Sequence, residues 1–579
     1  MKAKDLLWGF LASMFLVGCS QNEDLPEGGN EKGEKEWSYI AINVNATPNA
    51  GGRAVTDDGF TYGTADENKV KDAYFFFFKA DGEPFIVNDY IPDSENGNAE
   101  RAGENWVQYT FQGDAGSDGA GTSNVERKMN AVLTLAGIKD SYPTYMVVVL
   151  GGQPVSSTAV SLTSLRSLLI NNYKNPDGYF IMSNSVYGDG VNGVYAATLT
   201  KGNFATTPEA AKTSPVNVYV ERVAARVGVS LNSANVVSGT NIFVVKKGST
   251  DQQIQIEGET DPTKVYAEIL GWDINTTINH TYLIKNIQDF ENWNTQLGFT
   301  WSDPNNYRSY WENTPHRTAD PVTSYDRTFD FNLFNDLSVK DYCMGNTNTT
   351  PKTKVVVRAQ LQKEDGTPLN IVSWLGHYYK FGDLKGIVAT SLSNELFYRT
   401  DGSSSWTAIN TVVSGSVPGL GYIALVRGDG DTDNEASDYY KATFTLDDSG
   451  KSLQWSFDGV NALTNISGGA TVAEQVAAKL KSLAPAKIWT NGHTYYFLDI
   501  EHLGNSSTIR NYGVVRNHAY EIIVDGIVGL GTPVYKTEVG DDFPTIPEPI
   551  IPDETETYLA AKINILSWAL VSNNVILGQ

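Results

Sequence analysis

Chemistry in this chain would have to come from its histidines, acidic residues or cysteines. The histidines show no pair at helical ligand spacing with a glutamate and no neighbouring cysteine pair, so a zinc site is not expected. Structural or surface roles fit them better, and no nucleophile or acid pair stands out elsewhere. We therefore expect no catalytic group, no metal ion and no cofactor. The six histidines are His280, His316, His377, His493, His502 and His518.

An acidic run is the nearest approach to a cation site. Its spacing is that of the start of a calcium loop, but Asn434 stands where an EF-hand has glycine, and Tyr440 where it has glutamate. A solvated acidic turn is the favoured interpretation, and calcium binding stays open. The run consists of Asp429, Asp431, Asp433 and Glu435.

The two cysteines have different surroundings. Residues 1–18 have the layout of an export signal: Lys2 and Lys4, then an apolar run too short to span a membrane. The stretch Leu16-Val17-Gly18-Cys19-Ser20 resembles a bacterial lipobox, which implies lipidation of Cys19. An ordinary secretory signal with a coincidental cysteine is the alternative. Cys343 has no visible partner and is expected to be a buried apolar residue.

A single arginine offers the chemistry of a protease site. Apolar residues at Ile40, Ile42, Val44 and Ala46 alternate with other residues and predict a compact strand. The loop that follows is small and flexible and ends in Arg53-Ala54, a composition typical of an accessible cleavage site. The plainer interpretation is a surface loop with a solvated arginine.

Charge excludes some functions. The formal net charge of −24, with a pI near 4.7, argues against binding to nucleic acid or to anionic lipid surfaces. The length of 579 residues suggests two to four domains' worth of mass.

Most of the chain has the pattern of short strands separated by turns. Tyr74–Phe78 and Met146–Leu150 lack a polar face and should be central strands, and Val216–Ser230 should lead from one domain into the next. Helices are predicted only near Leu162–Asn172 and Ala473–Leu483. Further strands are predicted at Lys354–Leu361, Tyr422–Val426, Tyr439–Leu446, Tyr495–Ile500 and Tyr520–Val524.

The C-terminal tail follows a spacer rich in proline. Its strand pattern has apolar residues on one face at first and on both faces after Ser567. Such a strand must either complete its own domain or be offered to another molecule, and composition leaves both open. The apolar residues that matter are Ile563, Ile565, Leu566, Trp568, Leu570 and Val571.

Several segments, taken in order, resemble the major subunits of Bacteroidales type V pili, specifically the short-fimbria, Mfa-type family. The segments are spread over most of the chain, and their order is more specific than any single one. One departure is Met344-Gly345-Asn346-Thr347, where family members more often carry an acidic residue. The segments are the lipobox at Cys19, Arg53-Ala54, VERVAARV at 220–227, WSDPNNYRSYW at 301–311, YCMGNT at 342–347, YGVVRNHAYEI at 512–522, GLGTPV at 529–534 and the terminal ILSWAL.

The resemblance implies a mainly β protein with two tandem β-sandwich (transthyretin-like) domains and minor helix. It implies a lipoprotein precursor at the outer membrane, cut between Arg53 and Ala54 by a trypsin-like, arginine-specific surface protease. Loss of the strand at Ile40–Ala46 then opens a groove that the tail of another copy fills, which is donor-strand exchange. The implied segments are a signal at 1–19, a propeptide at 20–53, an N-terminal domain at 54–222, a C-terminal domain at 223–543, and a linker with donor strand at 544–579.

The resemblance implies a filament subunit whose partners are other copies of itself, a tip subunit and an anchor subunit. Two alternatives to this function remain. The chain could itself be a tip or anchor subunit, although the long apolar tail favours the shaft. It could also be a monomeric surface lipoprotein that binds glycans or host ligands through aromatic residues, for which core packing is the simpler role. Those residues are Trp293, Trp301, Tyr307, Tyr310 and Trp311.

Overall fold

The structure is a computed structural model. It describes residues 37–45, 64, 66–87, 90–91, 99–100, 103–115, 128–136, 138, 141–152, 158–188, 193–194, 196–248, 250–258, 262–275, 277–287, 312–315, 328–329, 334–348, 352–427, 441–502, 513–533, 546–547, 558–567 and 570–572. Among these residues, no helix has the length and apolar character that crossing a membrane requires.

Strands dominate the described residues. Up to residue 222 they are β1 (Trp37–Asn45), β2 (Val70–Phe78), β3 (Tyr90–Ile91), β4 (Ala99–Glu100), β5 (Trp106–Ala115), β6 (Lys128–Ala136), β7 (Tyr145–Leu150), β8 (Leu169–Ile170), β9 (Met182–Asn184), β10 (Tyr187–Gly188), β11 (Gly193–Val194), β12 (Ala197–Thr198), β13 (Phe204–Ala205) and β14 (Val216–Arg222). Next come β15 (Ala224–Leu231), β16 (Ile242–Lys246), β17 (Gln255–Ile256), β18 (Thr263–Lys264), β19 (Tyr266–Asn275), β20 (Thr281–Tyr282), β21 (Thr328–Phe329), β22 (Lys340–Met344) and β23 (Lys354–Gln362).

The remaining strands are β24 (Ile371–Trp374), β25 (His377–Lys380), β26 (Phe397–Arg399), β27 (Thr407–Ala408), β28 (Ile423–Arg427), β29 (Lys441–Leu446), β30 (Gln454–Ser456), β31 (Ala486–Trp489), β32 (His493–Asp499), β33 (His518–Val528), β34 (Thr532–Pro533), β35 (Ile546–Pro547), β36 (Tyr558–Ser567) and β37 (Leu570–Ser572). The α-helices are short: α1 (Leu162–Ser167), α2 (Pro208–Ala211), α3 (Leu384–Ser391) and α4 (Val472–Lys481). The prediction of a mainly β fold with minor helix is confirmed.

The N-terminal sheet has the strand order β13-β1-β14-β9-β7-β2-β5, with β6 paired to β1 and β12 to β7. The aromatic run of β2 lies between β5 and β7, and Phe75 to Phe78 are fully buried. β7 is buried from Met146 to Leu150. Both predictions of a central strand are therefore confirmed, since side chains of these strands are covered on both faces.

The C-terminal sheet has the order β22-β15-β33-β16-β19-β23-β32-β34. Only Val223 separates β14 of the first sheet from β15 of the second, so the predicted passage between units is where the chain changes sheet. The apolar core of this sheet includes Val227, Trp272, Val357 and Tyr520.

The helix predicted at Leu162–Asn172 is shorter than expected. It begins with Ser161, which accepts a hydrogen bond from the Ser164 N–H, and ends at Ser167. The backbone then becomes extended, because Leu169 and Ile170 pair with β20. The other predicted helix, α4, has a capping box formed by Thr471 and Glu474.

A third core lies between β23 and β32, within the segment predicted as one C-terminal domain. Its five-stranded sheet has the order β25-β24-β31-β29-β28. Helices α3 and α4 contribute Leu384, Val388, Val476 and Leu480 to its core, which also contains Trp455. The sequence pattern did not separate this unit from the larger sheet.

We expect Trp455→Ala to destabilise this third core. Trp455 is fully buried, and its indole N–H donates to the Gly450 carbonyl at 2.9 Å. Removing the ring should cost about 3–5 kcal/mol through lost contacts and a cavity. Hydrogen exchange should accelerate in α3 and α4 while β15 and β33 stay protected. Val460→Ala, at a position 74% exposed, is the control and should leave exchange unchanged. Equal acceleration in both sheets would contradict a separate core.

Candidate functional site

The strand β1 is held on both edges. It pairs antiparallel with β6 along its whole length and parallel with β14 from Ile42 to Asn45. Ile40 and Ile42 are 0% exposed and Ala41 is 4% exposed. A strand with two neighbours has its backbone groups satisfied on both sides, so its loss leaves unpaired groups on both flanking strands.

The apolar surface beneath β1 belongs to the same two strands. Ile42 lies opposite Ala131 of β6 and Val216 of β14, while Ile40 lies opposite Leu133. All three partner side chains are buried and belong to one hydrophobic cluster with Ile40 and Ile42. Without β1 the cluster would be open to water along a groove between β6 and β14.

The tail strand β36 lies on the C-terminal sheet of its own chain. It pairs antiparallel with β33, with Ile563 opposite Ile522 and Ile565 opposite Tyr520. The chain then turns back, and β37 pairs with β36 from Asn564 to Leu566. Sequence reasoning left the position of the tail open, and the structure places it at the sheet edge beside β33.

Several predicted site residues lie outside the described residues. They are Cys19, Ala46, Arg53, Ala54 and Trp568, together with the acidic run at 429–435 and the aromatic residues between 293 and 311. The backbone of the donor residues Ile563, Ile565, Leu566, Leu570 and Val571 is described within β36 and β37.

Buried ionic contacts join the two sheets, and sequence reasoning missed them. The Glu67 carboxylate, ahead of β2, accepts hydrogen bonds from Arg226 Nη1 of β15 at 3.0 and 3.1 Å. It also accepts the Tyr342 hydroxyl of β22 at 2.7 Å. Arg222 donates through Nε to the Glu67 carbonyl at 2.9 Å and through Nη2 to Asn68. We call the contacts around Glu67 and the two ion pairs described next the buried joint.

Two further ion pairs complete the buried joint. Lys285 Nζ lies 2.9 Å from the Glu221 carboxylate, with both side chains essentially unexposed. Arg516 donates through Nε to Glu312 at 2.6 Å, and its remaining nitrogens donate to backbone or hydroxyl oxygens of residues 281–283. Because each buried charge lies beside an opposite charge, part of the cost of burying it is offset.

Gly345 leaves room for one of these pairs. A Cβ atom at Gly345 would lie 1.9 Å from Glu312 Oε1, so no larger residue fits beside the carboxylate. Thr347, two residues further on, donates its hydroxyl to the Glu312 carbonyl at 2.9 Å. The segment Met344–Thr347, whose role the sequence left open, therefore positions Glu312 against Arg516.

Burial, hydrogen bonds and a neighbouring charge shift the pKa values of Glu67 and Tyr342 in the buried joint. Burial raises the pKa of Glu67, but the Arg226 charge and the hydrogen bonds from Thr64, Tyr342 and Arg226 outweigh it, so that the pKa lies below 4.5. Burial, and then the hydrogen bond to Glu67, raise the pKa of Tyr342 well above its usual value. Glu67 is thus a carboxylate, and Tyr342 a neutral donor, at neutral pH.

Histidine and cysteine side chains of the second sheet are structural where described. His502 and His518 are each 2% exposed, and His502 Nδ1 lies 2.8 Å from the Tyr520 hydroxyl. Cys343 is 3% exposed, which confirms the prediction of a buried residue, and burial raises the pKa of its thiol. Over the described ranges, no group of three or more His, Cys, Asp or Glu is placed to hold a metal ion.

Comparison with known protein families finds a match for the C-terminal segment of the chain. Residues 487–574, from β31 through the tail strands, match the family described as major fimbrial subunit protein type IV, fimbrillin, C-terminal. No curated protein matches the chain. The match confirms the resemblance to fimbrial subunits through the segment that contains β33 and β36.

Solved structures show only distant similarity. A fimbrilin from Porphyromonas gingivalis W83 is 11% identical, covering 92% of this chain and 98% of its own, with a TM-score of 0.36. The tip fimbrial protein Mfa3 from Porphyromonas gingivalis is 12% identical, with 92% and 100% coverage and a TM-score of 0.27. A fimbrial assembly protein from Parabacteroides distasonis is 9% identical, with 56% and 81% coverage and a TM-score of 0.26. Similarity at this level decides nothing about function.

We expect Glu67→Gln to weaken the buried joint. The change removes the carboxylate nearest to Arg226, at a site where the side chains of Arg226 and Glu67 are only 8% and 2% exposed. Glu521, 4.0 Å from Arg226, remains as a counter-ion, so the loss should not exceed the roughly 3–5 kcal/mol that breaking a buried pair costs. Urea unfolding followed by tryptophan fluorescence measures the loss.

The pH dependence of that loss gives a second measurement. The folded-state pKa of Glu67 is depressed, so its stabilisation is present above the unfolded value near 4.5 and is lost as pH falls through the lower folded value. The difference between wild type and Glu67→Gln should therefore be constant at neutral pH and shrink in acid. Asp448→Asn, which removes an exposed pair with Lys451, is the control and should change nothing measurable. A difference that does not vary with pH would contradict an ionised Glu67.

Proposed function

We propose that this protein is a non-enzymatic structural subunit of a cell-surface fimbria that polymerises by donor-strand exchange. One observation carries the proposal. The strand β1 contributes Ile40 and Ile42 to the N-terminal core and ends at Asn45, shortly before Arg53 in the chain. Cleavage after Arg53 would cut the covalent connection between β1 and the domain that it completes.

The sequence of events follows from that placement. The precursor is exported, lipidated at Cys19 and held at the outer membrane. An arginine-specific, trypsin-like surface protease cuts between Arg53 and Ala54, and β1 leaves with the lipid. The groove between β6 and β14 then accepts β36 of another copy. That β36 remains covalently connected to the C-terminal domain of the copy that donates it. Repetition gives an extracellular filament, to which tip and anchor subunits of related structure attach.

The free energy of burying the donor side chains is large enough to hold two subunits together without covalent bonds. Each large apolar side chain that the donor buries contributes about 1.5–3 kcal/mol, before the cost of ordering and association is subtracted. The donor must first leave β33, whose ladder it occupies in the monomer. The exchange is favoured because the vacated groove exposes apolar side chains, whereas β33 loses a strand from one edge only.

We expect Arg53→Ala to prevent polymerisation. Residues 20–579 treated with trypsin should give a ladder of oligomers that survives cold detergent, and the alanine variant should remain monomeric because β1 stays attached. Arg53→Lys is a matched control: trypsin still cuts it, while an arginine-specific protease does not. A ladder from uncut Arg53→Ala would contradict the trigger.

We expect deletion of residues 558–579 to remove the donor and leave the acceptor intact. The deleted chain, once cut, should form no ladder alone. Mixed with full-length cut protein, it should accept a donor strand and appear in short oligomers, because it lacks the strand that continues growth. Ladder formation by the deleted chain alone would show that another segment is the donor.

Lipidation is tested separately. Cys19→Ser expressed from the full-length gene in a lipoprotein-processing host should lose the lipid mass and move from the detergent phase to the aqueous phase. Retention of membrane association by the serine variant would contradict anchoring through Cys19.

A further inference from the structure

We infer the register of the exchanged strand: Ile563 takes the position of Ile42, and Asn564 takes the position of Asn43 between Asn130 and Asn217. This inference rests on the proposed function and specifies how the acceptor recognises its partner, a second copy of this chain. In this register the donor runs as β1 does, antiparallel to β6 and parallel to β14.

The two strands share a sequence pattern. β1 reads WSYIAINVN and β36 reads YLAAKINILS. When Ile42-Asn43-Val44 is set against Ile563-Asn564-Ile565, two residues are identical and the third differs by one methylene. Trp37 then coincides with Tyr558, the first residue of β36, so the two strands also begin together.

The volume available at each position favours this register. Ile42 lies opposite Ala131 and Val216, so the small Ala131 leaves space that only a large residue fills. Ile40 lies opposite Leu133 and Phe204, two larger residues. The inferred register places Ile563 beside Ala131, and Ala561, two positions earlier, beside the large pair of Leu133 and Phe204. The cavity left by an alanine costs less where neighbours can close over it.

The two neighbouring registers fit less well. Moving the donor by two residues in one direction sets Ala561 opposite Ala131, where two small residues leave a void. Moving it by two in the other direction sets Ser567 at the position of Val44, opposite the buried Met129 and Val218. A hydroxyl among apolar side chains has no evident partner there.

One substitution needs accommodation. Lys562 takes the position of Ala41, which is 4% exposed. Ala41 lies opposite Val132, and Val132 is only half-buried. A lysine stem can lie along Val132 and carry its ammonium group to water.

Cysteine pairs measure the register directly. Residues 20–579 carry Cys343→Ala together with Asn564→Cys and one cysteine on β6. Asn130→Cys reports the inferred register, while Lys128→Cys and Val132→Cys report the two registers shifted by two residues. Directly opposed residues lie about 5 Å apart and diagonal ones about 7–8 Å, so only the opposed pair forms a disulfide readily.

Each variant is cut with trypsin, allowed to polymerise under reducing conditions, then oxidised and analysed in boiling detergent with and without reductant. The Asn130–Asn564 pair should convert most of the ladder into a disulfide-linked form, and the other two pairs little of it. Uncut precursor should give no linked ladder, because β1 still occupies the groove.

The outcomes separate the register from the proposed function. A normal cold-detergent ladder that crosslinks through position 128 or 132, or through none of the three, overturns the register and leaves strand exchange standing. Absence of any ladder from a cut wild-type chain defeats strand exchange itself, and the register falls with it. The ladder in reductant shows for each variant that the cysteines have not disturbed folding.

Discussion

The N-terminal sheet needs a strand at the position of β1, because this position has neighbouring strands on both sides. β1 satisfies the backbone of β6 along its full length and that of β14 over part of it, and its Ile40 and Ile42 close the N-terminal core. Without it, backbone donors, acceptors and apolar side chains would all be left to water. Under the proposed exchange, this position is filled by β1 in the precursor and by a donor strand in the filament, and it is empty only between the two. If β1 is cleaved away as we propose, the same requirement favours its replacement by another strand.

In the proposed exchange, the buried joint would help to hold the walls of the vacated groove in place. Glu67 contacts Arg226 and Tyr342 of the second sheet, and Glu221 and Arg516 contact Lys285 and Glu312. None of these residues belongs to β1, although Glu221 lies on β14, which pairs with it. A groove whose walls are fixed from behind loses less entropy on accepting a donor than a flexible one, which favours tight assembly.

The features that were predicted well from the sequence are those that depend on the local spacing of apolar residues. The all-apolar run Tyr74–Phe78, the sheet change near Val223 and the helix after Thr471 follow from burial and capping that neighbouring residues determine. The buried joint could not be found this way, because Glu67 and Arg226 are 159 residues apart and each reads as a surface charge alone. The third core was missed for a related reason: its strands have the same pattern as those of the larger sheet. The position of the tail depends on its pairing with β33, which the pattern of a single strand does not contain.

The proposed exchange would move the tail from one sheet to another. On β33 the tail lies at a sheet edge, with only the short β37 paired on its other side among the described residues. In the groove it would have β6 and β14 on its two sides, along an apolar surface. Under the proposed exchange, the monomer would thus hold its donor in the weaker of two similar places while β1 occupies the stronger one. In the exchange that we propose, the tail has no better site until β1 is cleaved away, so cleavage would set both the time and the direction of assembly.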